Sequence, residues 1–412
     1  MKKVLIVAQY TNIPGEKGYH RHLFLYDYLS RNGYDVTLVT SSFDHYNKVQ
    51  RDINFFRSTY PDYKVVLLKT PSYYKNISLK RIICQRKFAL ELNQWLTENG
   101  RNYDVVYTGI PTLESGDVCG SYCNKNGIQY IIDVQDLWPE AMRLVVKNAL
   151  LFDIVFADMK KLANKVYSQA DQIVAVSNEY AQRAFSVNHK CAAPSVIYIG
   201  TLINKFDTGA NKTVTSINKK ANEIWITYIG TLGISYDLFT LIRAAKLLEN
   251  RGYSNIVIKI LGRGPGEVKI KEYAKQVNCK VNFIGYVEYD VMAAYLVKSD
   301  MAVNAFKRNA AQSIATKVSD YLTAGLPILN GSMCNEMITL IEDNKIGLNY
   351  EPENAKDLAD KIEQLIKSTD LRKLLGENAR EFAERNFDKQ VCYKKVIDLI
   401  EHVTDGTSQV LR

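Results

Sequence analysis

The chain has little that would mark a secreted, metal-binding or membrane-spanning protein. Its seven cysteines are scattered over 412 residues, and only Cys119 and Cys123 lie close together. Because no second pair and no nearby histidine completes a metal site, we expect buried thiols and a reducing, cytoplasmic setting. No window of the sequence approaches the ~20 apolar residues of a membrane span. The apolar run that follows Met1 is too short for a signal peptide and indicates a buried first strand.

One stretch of the chain lacks acidic residues altogether. Residues 63–90 contain none, in a chain whose formal net charge is +9. Apolar and aromatic side chains there alternate with seven basic ones, namely Lys64, Lys69, Lys75, Lys80, Arg81, Arg86 and Lys87. This composition is typical of a surface that rests on an anionic membrane, but a solvated basic helix face has the same composition. The sequence leaves both open, and we expect no nucleic-acid partner.

The length and the alternation of elements predict two α/β domains. At roughly 100–200 residues per domain, 412 residues suit two domains better than one or four. Short apolar runs alternate with helical stretches in the first half, at residues 3–8, 36–40, 64–68, 104–107, 130–134 and 172–176. Residues 207–221 are polar and predict a linker. The alternation restarts at residue 222, so we expect parallel-sheet domains at 1–206 and 222–386, with a last helix in 387–412.

The dinucleotide fingerprint G-x-G-x-x-G is also missing. After the first strand, Gly15 and Gly18 stand alone, and His20 and Arg21 open the next helix. A glycine-bearing loop at the carboxyl end of a strand nevertheless faces the crevice where such sheets bind ligands. We expect this loop to approach a phosphate or a sugar, with a flexible connection as the alternative.

The chain is organised around residues 313–327. Ser313 or Thr316 can cap a helix that Gly325 and Pro327 end. Lys317 would then lie in the first turn, where the helix dipole favours anions, and Asp320 would share its face. A cation for a diphosphate beside a carboxylate for a ribose is what a nucleotide requires. A capped core helix with one exposed ion pair is the alternative.

Four stretches resemble motifs of one enzyme family. The sequence Lys317-Val-Ser-Asp-Tyr-Leu-Thr-Ala-Gly-Leu-Pro327 resembles the Lys-x-x-Glu-Tyr-x-x-x-Gly-x-Pro signature of retaining glycosyltransferases of family 4, which have the GT-B fold. Residues 262–267 resemble its Gly-x-Gly-Pro-x-Glu turn, and residues 170–177 resemble its Ala-Asp-x-Ile-x-x-x-Ser strand. Residues 136–140 read Asp-Leu-Trp-Pro-Glu, which resembles a motif of the branch that builds bacterial surface polysaccharides such as capsule and lipopolysaccharide.

The resemblance implies a fold and a reaction. Two Rossmann-like domains would face a cleft, residues 1–206 on the acceptor side and residues 222–386 binding the nucleotide sugar. Residues 387–412 would cross back to the first domain. The reaction would be hexosyl transfer with retention, from a nucleotide-diphosphate sugar, above all a UDP-sugar, to a glycan or polyprenyl-diphosphate-linked acceptor. The resemblance implies neither metal nor cofactor, and the enzyme would work in the cytoplasm at the inner face of the plasma membrane.

The resemblance also implies roles for individual residues. The catalytic residues would be Lys317, Asp136 and Arg263. Donor binding would involve Gly15, Gly18, Gly230, Gly264, Tyr286, Lys307, Arg308, Gln312 and Asp320. The acceptor side would include His20, Arg21 and Trp138.

Two departures from the family pattern keep other functions open. The turn after Gly230 has Thr231 and Tyr236 near the positions where the family carries Arg and Lys. Gln312 stands where the family has the first glutamate of a Glu-x7-Glu pair. A sugar-nucleotide 2-epimerase of the same fold and a catalytically silent partner of an active transferase are therefore the alternatives.

Overall fold

The computed structural model of the chain describes residues 1–18, 21–144, 146, 148–310 and 314–402. These residues form two compact units. The N-terminal unit comprises Met1–Ile197 and the described part of Tyr393–Arg412, and the C-terminal unit comprises Tyr198–Cys392.

The N-terminal unit is built on a seven-stranded parallel sheet with the order β5-β2-β1-β6-β7-β8-β9. A short antiparallel hairpin, β3 with β4, stands apart from it. The strands are β1 Lys3–Val7, β2 Asp35–Ser41, β3 Phe43–Asp44, β4 Val49–Gln50, β5 Val65–Leu68, β6 Val105–Ile110, β7 Gln129–Val134, β8 Gln172–Ala175 and β9 Ser195–Val196.

The strands of this sheet are buried on both faces. Residues 4–7 of β1 are fully buried, as are the apolar residues of β6 and β7. This explains why their sequences are continuous apolar runs rather than alternating ones. The covering helices are α1 Arg21–Arg31, α2 Ile53–Thr59, α3 Leu79–Asn99, α4 Leu113–Asn126, α5 Ala149–Val155, α6 Ala157–Gln169 and α7 Asn178–Phe185. Cys119 and Cys123 lie in the core between α4 and the sheet.

The C-terminal unit has a six-stranded parallel sheet with the order β12-β11-β10-β13-β14-β15. Its strands are β10 Ile224–Ile229, β11 Ile256–Leu261, β12 Val281–Gly285, β13 Met301–Asn304, β14 Ile328–Asn330 and β15 Gly347–Asn349. Its helices are α8 Ile203–Thr213, α9 Leu238–Asn250, α10 Glu267–Gln276, α11 Tyr289–Lys298, α12 Lys317–Thr323, α13 Asn335–Asp343, α14 Ala355–Lys367, α15 Thr369–Asn386 and α16 Lys389–Cys392.

In both sheets the strand order reverses beside the first strand of the unit. The reversal lies between β1 and β6 in the N-terminal unit and between β10 and β13 in the C-terminal unit. Open parallel sheets bind ligands outside the carboxyl ends of the strands at this point. The two-domain α/β architecture expected from the sequence is confirmed, and each sheet has one such position.

The predicted linker at 207–221 is wrong for its first half. Residues 207–213 belong to α8, which packs on α11 with Phe206 and Ala210 buried. Gly209 permits the close approach, because a Cβ there would overlap the carboxylate of Asp290. The sequence looked polar because the Asn, Thr and Lys residues form the outer face of α8. The division between the units instead falls after Ile197.

The last described helix, α17 Lys394–His402, is part of the N-terminal unit. Gln129 Nε2 donates a hydrogen bond to the Leu399 carbonyl oxygen at 3.0 Å. The Lys2 amine pairs with the Glu401 carboxylate at 2.7 Å. Both ends of the described chain therefore pack in the same unit.

Candidate active site

The candidate site of the C-terminal unit lies where the strand order reverses. Residues 230–236 follow β10 and residues 305–310 follow β13. The two loops are joined by an antiparallel bridge between Tyr236 and Phe306. The Lys307 amide also donates to the Ser235 carbonyl oxygen at 3.0 Å. The paired loops form one wall at the carboxyl ends of the two central strands.

Lys317, the first residue of α12, places its amine against this wall. Its Nζ lies 3.9 Å from the ring centroid of Tyr236, 4.2 Å from that of Tyr228 and 5.1 Å from that of Phe306. The residue is 7% exposed, and within the described part of the chain Nζ has no hydrogen-bond partner. Burial lowers the pKa of the amine well below its ordinary value. Buried charges are normally paired, and among the described residues this amine contacts aromatic faces, so an anionic ligand would stabilise its charged form.

The helix that carries Lys317 ends as predicted but begins differently. Gly325 is left-handed, with φ +66°, and the Leu326 amide closes the turn onto the Tyr321 carbonyl oxygen at 3.1 Å. Thr316 makes no side-chain capping bond and is itself helical. The other predicted cap, Ser313, lies outside the described residues. So does Gln312, a predicted donor-binding residue.

Asp320 has protein partners of its own. Its Oδ1 accepts hydrogen bonds from Thr201 Oγ1 and from the Tyr289 hydroxyl, both at 2.8 Å. Burial raises the pKa of this carboxyl group above its usual range. Although Lys317 and Asp320 are three residues apart on one helix, the amine faces aromatic rings and the carboxylate faces two hydroxyls. The exposed ion pair considered as an alternative does not form.

The glycines of the site let two loops pack backbone to backbone. A Cβ at Gly264 would lie 2.6 Å from the Leu232 carbonyl oxygen, and one at Gly262 would overlap the Gly230 carbonyl. The Leu232 amide donates to the Arg263 carbonyl oxygen at 3.0 Å. Gly230, with φ +124°, flanks the Lys317 side chain, since a Cβ there would be 3.9 Å from Lys317 Cδ. Loop packing alone thus accounts for Gly264, whereas Gly230 borders the buried amine.

The other predicted cations of this unit differ in whether their side chains already have protein partners. Arg308 pairs with Glu351 at 2.7 Å and also donates to the Pro352 carbonyl oxygen. Lys307 is exposed, and no side-chain bond of its amine occurs among the described residues. Arg263 is exposed beside Gly285, and Tyr286 next to it is 68% exposed. Arg263 and Lys307 therefore have side chains available to a ligand, and Arg308 is already paired.

In the N-terminal unit, the prediction of Arg21 as an acceptor-side residue is wrong. Its side chain is 1% exposed and forms two bonds to Asp133, Nε to Oδ2 at 2.7 Å and Nη2 to Oδ1 at 2.9 Å. Nη1 donates to the Tyr393 hydroxyl at 3.2 Å. The Asp133 carboxylate raises the pKa of the guanidinium against the opposing effect of burial. Sequence position alone could not distinguish this buried ion pair from a surface cation.

The glycines of the first loop occupy left-handed conformations. Gly15 has φ +87° and Gly18 has φ +132°, and a Cβ at Gly15 would overlap the hydroxyl of Tyr60. Asn12 Nδ2 donates to the Lys17 carbonyl oxygen at 3.1 Å and holds the loop from within. The left-handed backbone conformation is therefore sufficient to explain why both positions carry glycine. His20, the third predicted residue of this segment, lies outside the described residues.

Asp136 and Trp138 contact each other after β7. Trp138 Nε1 donates to Asp136 Oδ2 at 3.0 Å, and the guanidinium of Arg81 lies 4.9 Å from the centroid of the Trp138 ring. Burial raises the pKa of the Asp136 carboxyl group. One face of the indole is thus covered by Arg81.

Sequence reasoning missed the aromatic residues that surround Lys317. Tyr228 lies within β10, and Tyr236 and Phe306 lie in the two paired loops. Tyr228 and Phe306 were ordinary apolar residues in the sequence, and Tyr236 was noted only as a departure from the family pattern, not as a contact of Lys317. Only the strand order, which puts β10 beside β13, brings them around one amine.

Comparison with known proteins finds similarity to glycosyltransferases. Residues 211–382 match the family model described as "Glycosyl transferases group 1". Two relatives from Methanocaldococcus jannaschii are described as uncharacterized glycosyltransferases. MJ1069 is 22% identical over 60% of this chain and 62% of its own length, and MJ1178 is 23% identical over 89% of this chain and 95% of its own. The capsular polysaccharide biosynthesis glycosyltransferase CapM of Staphylococcus aureus is 24% identical over 48% of this chain and 51% of its own length.

Solved structures with the same fold include HepE and a sucrose-phosphate synthase. Anabaena HepE in complex with UDP superimposes with a TM-score of 0.70 at 14% identity, covering 98% of this chain and 100% of the other. Sucrose-phosphate synthase of Thermosynechococcus elongatus gives 0.73 at 15% identity, covering 99% and 100%. The fold is therefore GT-B, and together with the family match over residues 211–382 these similarities support a GT-B glycosyltransferase.

Proposed function

We propose that the protein is a retaining glycosyltransferase that moves a hexosyl group from a nucleotide-diphosphate sugar, above all a UDP-sugar, to a glycan or lipid-linked acceptor. The observation that carries the proposal is the buried Lys317 amine at the strand reversal of the C-terminal unit, which has aromatic faces around it and no counter-ion among the residues that the structure describes. HepE binds UDP, and CapM is named for capsular polysaccharide biosynthesis. The first supports a nucleotide-sugar donor, and the second supports a surface-polysaccharide product.

The role proposed for Lys317 follows from its electrostatics. A diphosphate oxygen beside the amine would raise its pKa again, because an opposite charge favours the charged form. The resulting charge-assisted bond would be strong in a site that excludes water. Because negative charge on the leaving diphosphate grows as the glycosidic bond breaks, the cation would stabilise the transition state more than the bound donor. Arg263 and Lys307 are the exposed cations that would complete the diphosphate site.

We propose that Lys317, Arg263 and Lys307 bind the diphosphate without a metal or a cofactor. Among the described residues, no three His, Cys, Asp or Glu side chains cluster as metal ligands would. The positive charge that a diphosphate needs is present in protein side chains. Activity measured in excess EDTA tests this part of the proposal.

Retention at the anomeric carbon is proposed to occur by front-face substitution, in which the leaving phosphate helps to deprotonate the acceptor. A double-displacement mechanism needs a carboxylate nucleophile close to a second carboxyl group. Asp320, the carboxylate on α12, accepts bonds from Thr201 and Tyr289. This arrangement suits a structural or ribose-binding role better than nucleophilic attack.

The N-terminal unit has exposed apolar side chains next to the basic segment 63–90. On and before α3 these are Tyr74, Ile77, Leu79, Ile82, Ile83 and Leu90, and on α5 they are Leu150, Leu151, Ile154 and Val155. The first group includes the neighbourhood of Arg81, which stacks on Trp138, and beside the second group Arg143 stacks on Phe152. Apolar side chains flanked by bases suit the surface of an anionic bilayer. We propose that this face meets the cytoplasmic leaflet of the plasma membrane.

Within its described residues the chain has no helix that is both long and apolar enough to cross a bilayer. The membrane contact that we propose is a peripheral one, made by side chains of α3 and α5.

A catalytically silent partner remains the second candidate, and one observation favours it. The Tyr236 ring lies against the Lys317 amine, near the position where family 4 enzymes carry a basic residue. A protein of this kind would bind nucleotide without turnover.

The deciding experiment measures UDP binding, UDP-sugar hydrolysis and transfer side by side. We expect UDP to bind and a UDP-sugar to be consumed, with the product retaining the donor's anomeric configuration by NMR. Lys317→Met should strongly reduce turnover, whereas Lys373→Met, a change of an exposed lysine on α15, should not. Binding without any turnover over a panel of donors and acceptors would favour the silent partner, and release of a free 2-epimer would favour the epimerase.

A further inference from the structure

Three asparagines stand side by side at the carboxyl edge of the C-terminal sheet. Asn304 ends β13, Asn330 ends β14 and Asn349 ends β15, and the strand register pairs Asn304 with Asn330 and Asn330 with Asn349. Their side chains form a hydrogen-bonded ladder. Asn304 Nδ2 donates to Asn330 Oδ1 at 2.9 Å, and Asn330 Nδ2 donates to Asn349 Oδ1 at 2.8 Å. Asn304 and Asn330 are buried, so the inner end of the ladder is shielded from solvent.

The partners of the ladder determine which end of each amide is the oxygen. Asn349 Nδ2 donates to the Glu342 carboxylate at 2.9 Å, and a carboxylate can only accept. The Ser332 backbone amide, which can only donate, lies 3.3 Å from Asn330 Oδ1. With these two side chains fixed, the amide nitrogen of Asn304 must face Asn330. The oxygen of Asn304 is therefore directed away from β14.

Asn304 shares one face of the sheet with α12. Ala302 belongs to the apolar cluster that contains Val318 of α12, whereas Val303 belongs to the cluster that contains Leu241 of α9. Successive side chains of a strand point to opposite faces. Asn304, two residues after Ala302, therefore faces α12.

The oxygen at the inner end of the ladder has no protein partner. Among the described residues of the C-terminal unit, the buried side-chain atoms without a hydrogen bond are Asn304 Oδ1, Asp237 Oδ2 and Lys317 Nζ. Asp237 belongs to the α9 face: its Oδ1 accepts from the Thr240 amide at 3.2 Å, and burial together with its charge raises the pKa of Tyr350. On the α12 face, one acceptor and one amine are thus left without hydrogen-bond partners, which is rare for buried groups.

Asn304 and Lys317 meet at the same level of the sheet. The Tyr321 hydroxyl, one helical turn after Lys317, donates to the Val303 carbonyl oxygen at 3.3 Å. At the other end of this turn, the Lys317 amine lies 5.1 Å from the centroid of the Phe306 ring. The helix face that carries Lys317 therefore extends along β13 from Val303 to Phe306, and Asn304 lies between these two contacts.

We infer that Asn304 is a positioning residue whose side-chain oxygen accepts a hydrogen bond from the Lys317 ammonium ion when a diphosphate is bound. An anion beside the amine favours its charged form, whose three N–H donors can serve the phosphate and the Asn304 oxygen together. The ladder presents the oxygen to the cation, whereas the opposite orientation would present an NH2 group and repel it. The inference rests on the proposed function of Lys317 and adds to it a residue outside the family motifs quoted above.

UDP binding tests the inference without an acceptor substrate. Asn304→Leu should weaken UDP binding at pH 8 about tenfold, the order of magnitude for one hydrogen bond to a charged group. Asn349→Leu is the matched control, because it removes an asparagine from the same ladder while the Ser332 amide still holds Asn330. This control should bind UDP like the wild type. The melting temperatures of both variants report the loss of ladder bonds separately.

A double-mutant cycle with Lys317→Met distinguishes a positioning role from a structural one. If Asn304 acts through the ammonium ion, Asn304→Leu should leave the UDP affinity of the Lys317→Met protein unchanged. An equal loss of affinity in both backgrounds overturns the inference, as does wild-type affinity of Asn304→Leu. Asn304→Ala is carried through the same cycle, so that a folding defect of the leucine variant does not decide the result.

The alkaline limit of UDP binding gives a second measurement. Since the Asn304 oxygen would favour the charged amine in the complex, its removal should lower the pKa of Lys317 there, and affinity should begin to fall about one pH unit earlier. Burial raises the pKa values of the neighbouring phenols Tyr228 and Tyr236 above 10, and the Asp320 carboxylate on α12 faces two hydroxyls instead of the amine. An unchanged alkaline limit in Asn304→Leu overturns this inference alone, whereas a wild-type protein that does not bind UDP overturns the proposed function as well.

Discussion

The Tyr236 ring lies 3.9 Å from the Lys317 nitrogen and fills the position nearest to a buried amine with no counter-ion among the described residues. A cation–π contact of this kind contributes about 2 kcal/mol when desolvated, much less than the cost of burying an unpaired ammonium ion. The aromatic faces therefore hold the amine in place but do not compensate a positive charge on it. Several consequences can be measured.

Lys317→Met should retain the fold and lose turnover. The methionine fills a similar volume and removes a buried polar group, so the free energy of unfolding should stay equal or rise. Loss of a preorganised cation at the leaving group should reduce kcat by about 10²–10³-fold, with a smaller effect on donor binding. Steady-state kinetics and thermal denaturation check this. An unchanged kcat would remove Lys317 from the mechanism.

UDP binding should be coupled to proton uptake. The pKa of Lys317 is lowered by burial, and a bound diphosphate should raise it, so the amine should gain a proton on binding at any pH between the two values. Calorimetry at pH 8–9, above the phosphate pKa of about 6, in buffers of different ionisation enthalpy measures the uptake. Lys317→Met should abolish it, and equal uptake by wild type and variant would contradict the assignment.

The same lowered pKa predicts how stability depends on pH without ligand. Between the folded-state and unfolded-state pKa values of Lys317, the unfolded chain binds more protons, so the contribution of this residue to stability should increase as the pH rises through that window. The difference in unfolding free energy between wild type and Lys317→Met isolates the contribution. A difference that stays constant up to pH 10 would be inconsistent with a depressed pKa.

Asp320→Ala should destabilise the C-terminal unit by about 1–3 kcal/mol, because the hydroxyls of Thr201 and Tyr289 lose their acceptor. If Asp320 also binds the ribose, UDP affinity should fall as well. Thr201→Val is the matched control, since it disrupts the same network and keeps the carboxylate. Weaker UDP binding in Asp320→Ala alone supports the ribose role, and equal binding in both variants contradicts it.

Membrane binding should depend on both charge and apolar surface. Replacing the exposed residues Lys75, Lys80 and Arg86 together by Gln should weaken binding to anionic vesicles, because each basic residue near the surface contributes about 1 kcal/mol. Leu150→Gln with Ile154→Gln should weaken it at any salt concentration, whereas the charge effect should fade at high salt. Vesicle flotation measures both. Donor hydrolysis should be unchanged, and wild-type binding by both variants would return segment 63–90 to a solvated basic face.

The architecture could be predicted because its strands and helices are indicated by apolar patterns within continuous stretches of sequence. Residues 4–7 form a continuous apolar run, and a run of this kind indicates a strand buried on both faces wherever it occurs. The α8 helix escaped prediction because Gly209 and Ala210, which make its close contact with α11, carry almost no hydrophobic signal.

The candidate sites depend on non-local geometry. Lys317 was predicted from a local motif, but the rings around it come from β10 and from two loops that only the strand order joins. Arg21 was assigned wrongly because its partner Asp133 is 112 residues away.

The return of α17 to the N-terminal unit has a consequence for the order of folding during synthesis. The Tyr393 hydroxyl accepts a bond from the buried Arg21, and its ring packs edge-on against Phe24 at 4.9 Å. Domains generally fold as they leave the ribosome, first the N-terminal one. Here the first unit lacks a core residue and a helix until residues 393–402 have emerged, while residues 198–392 contain every strand of the second sheet. The second unit can therefore complete its folding before the first, and a nascent chain halted at residue 392 would expose the binding surface of α17 to chaperones.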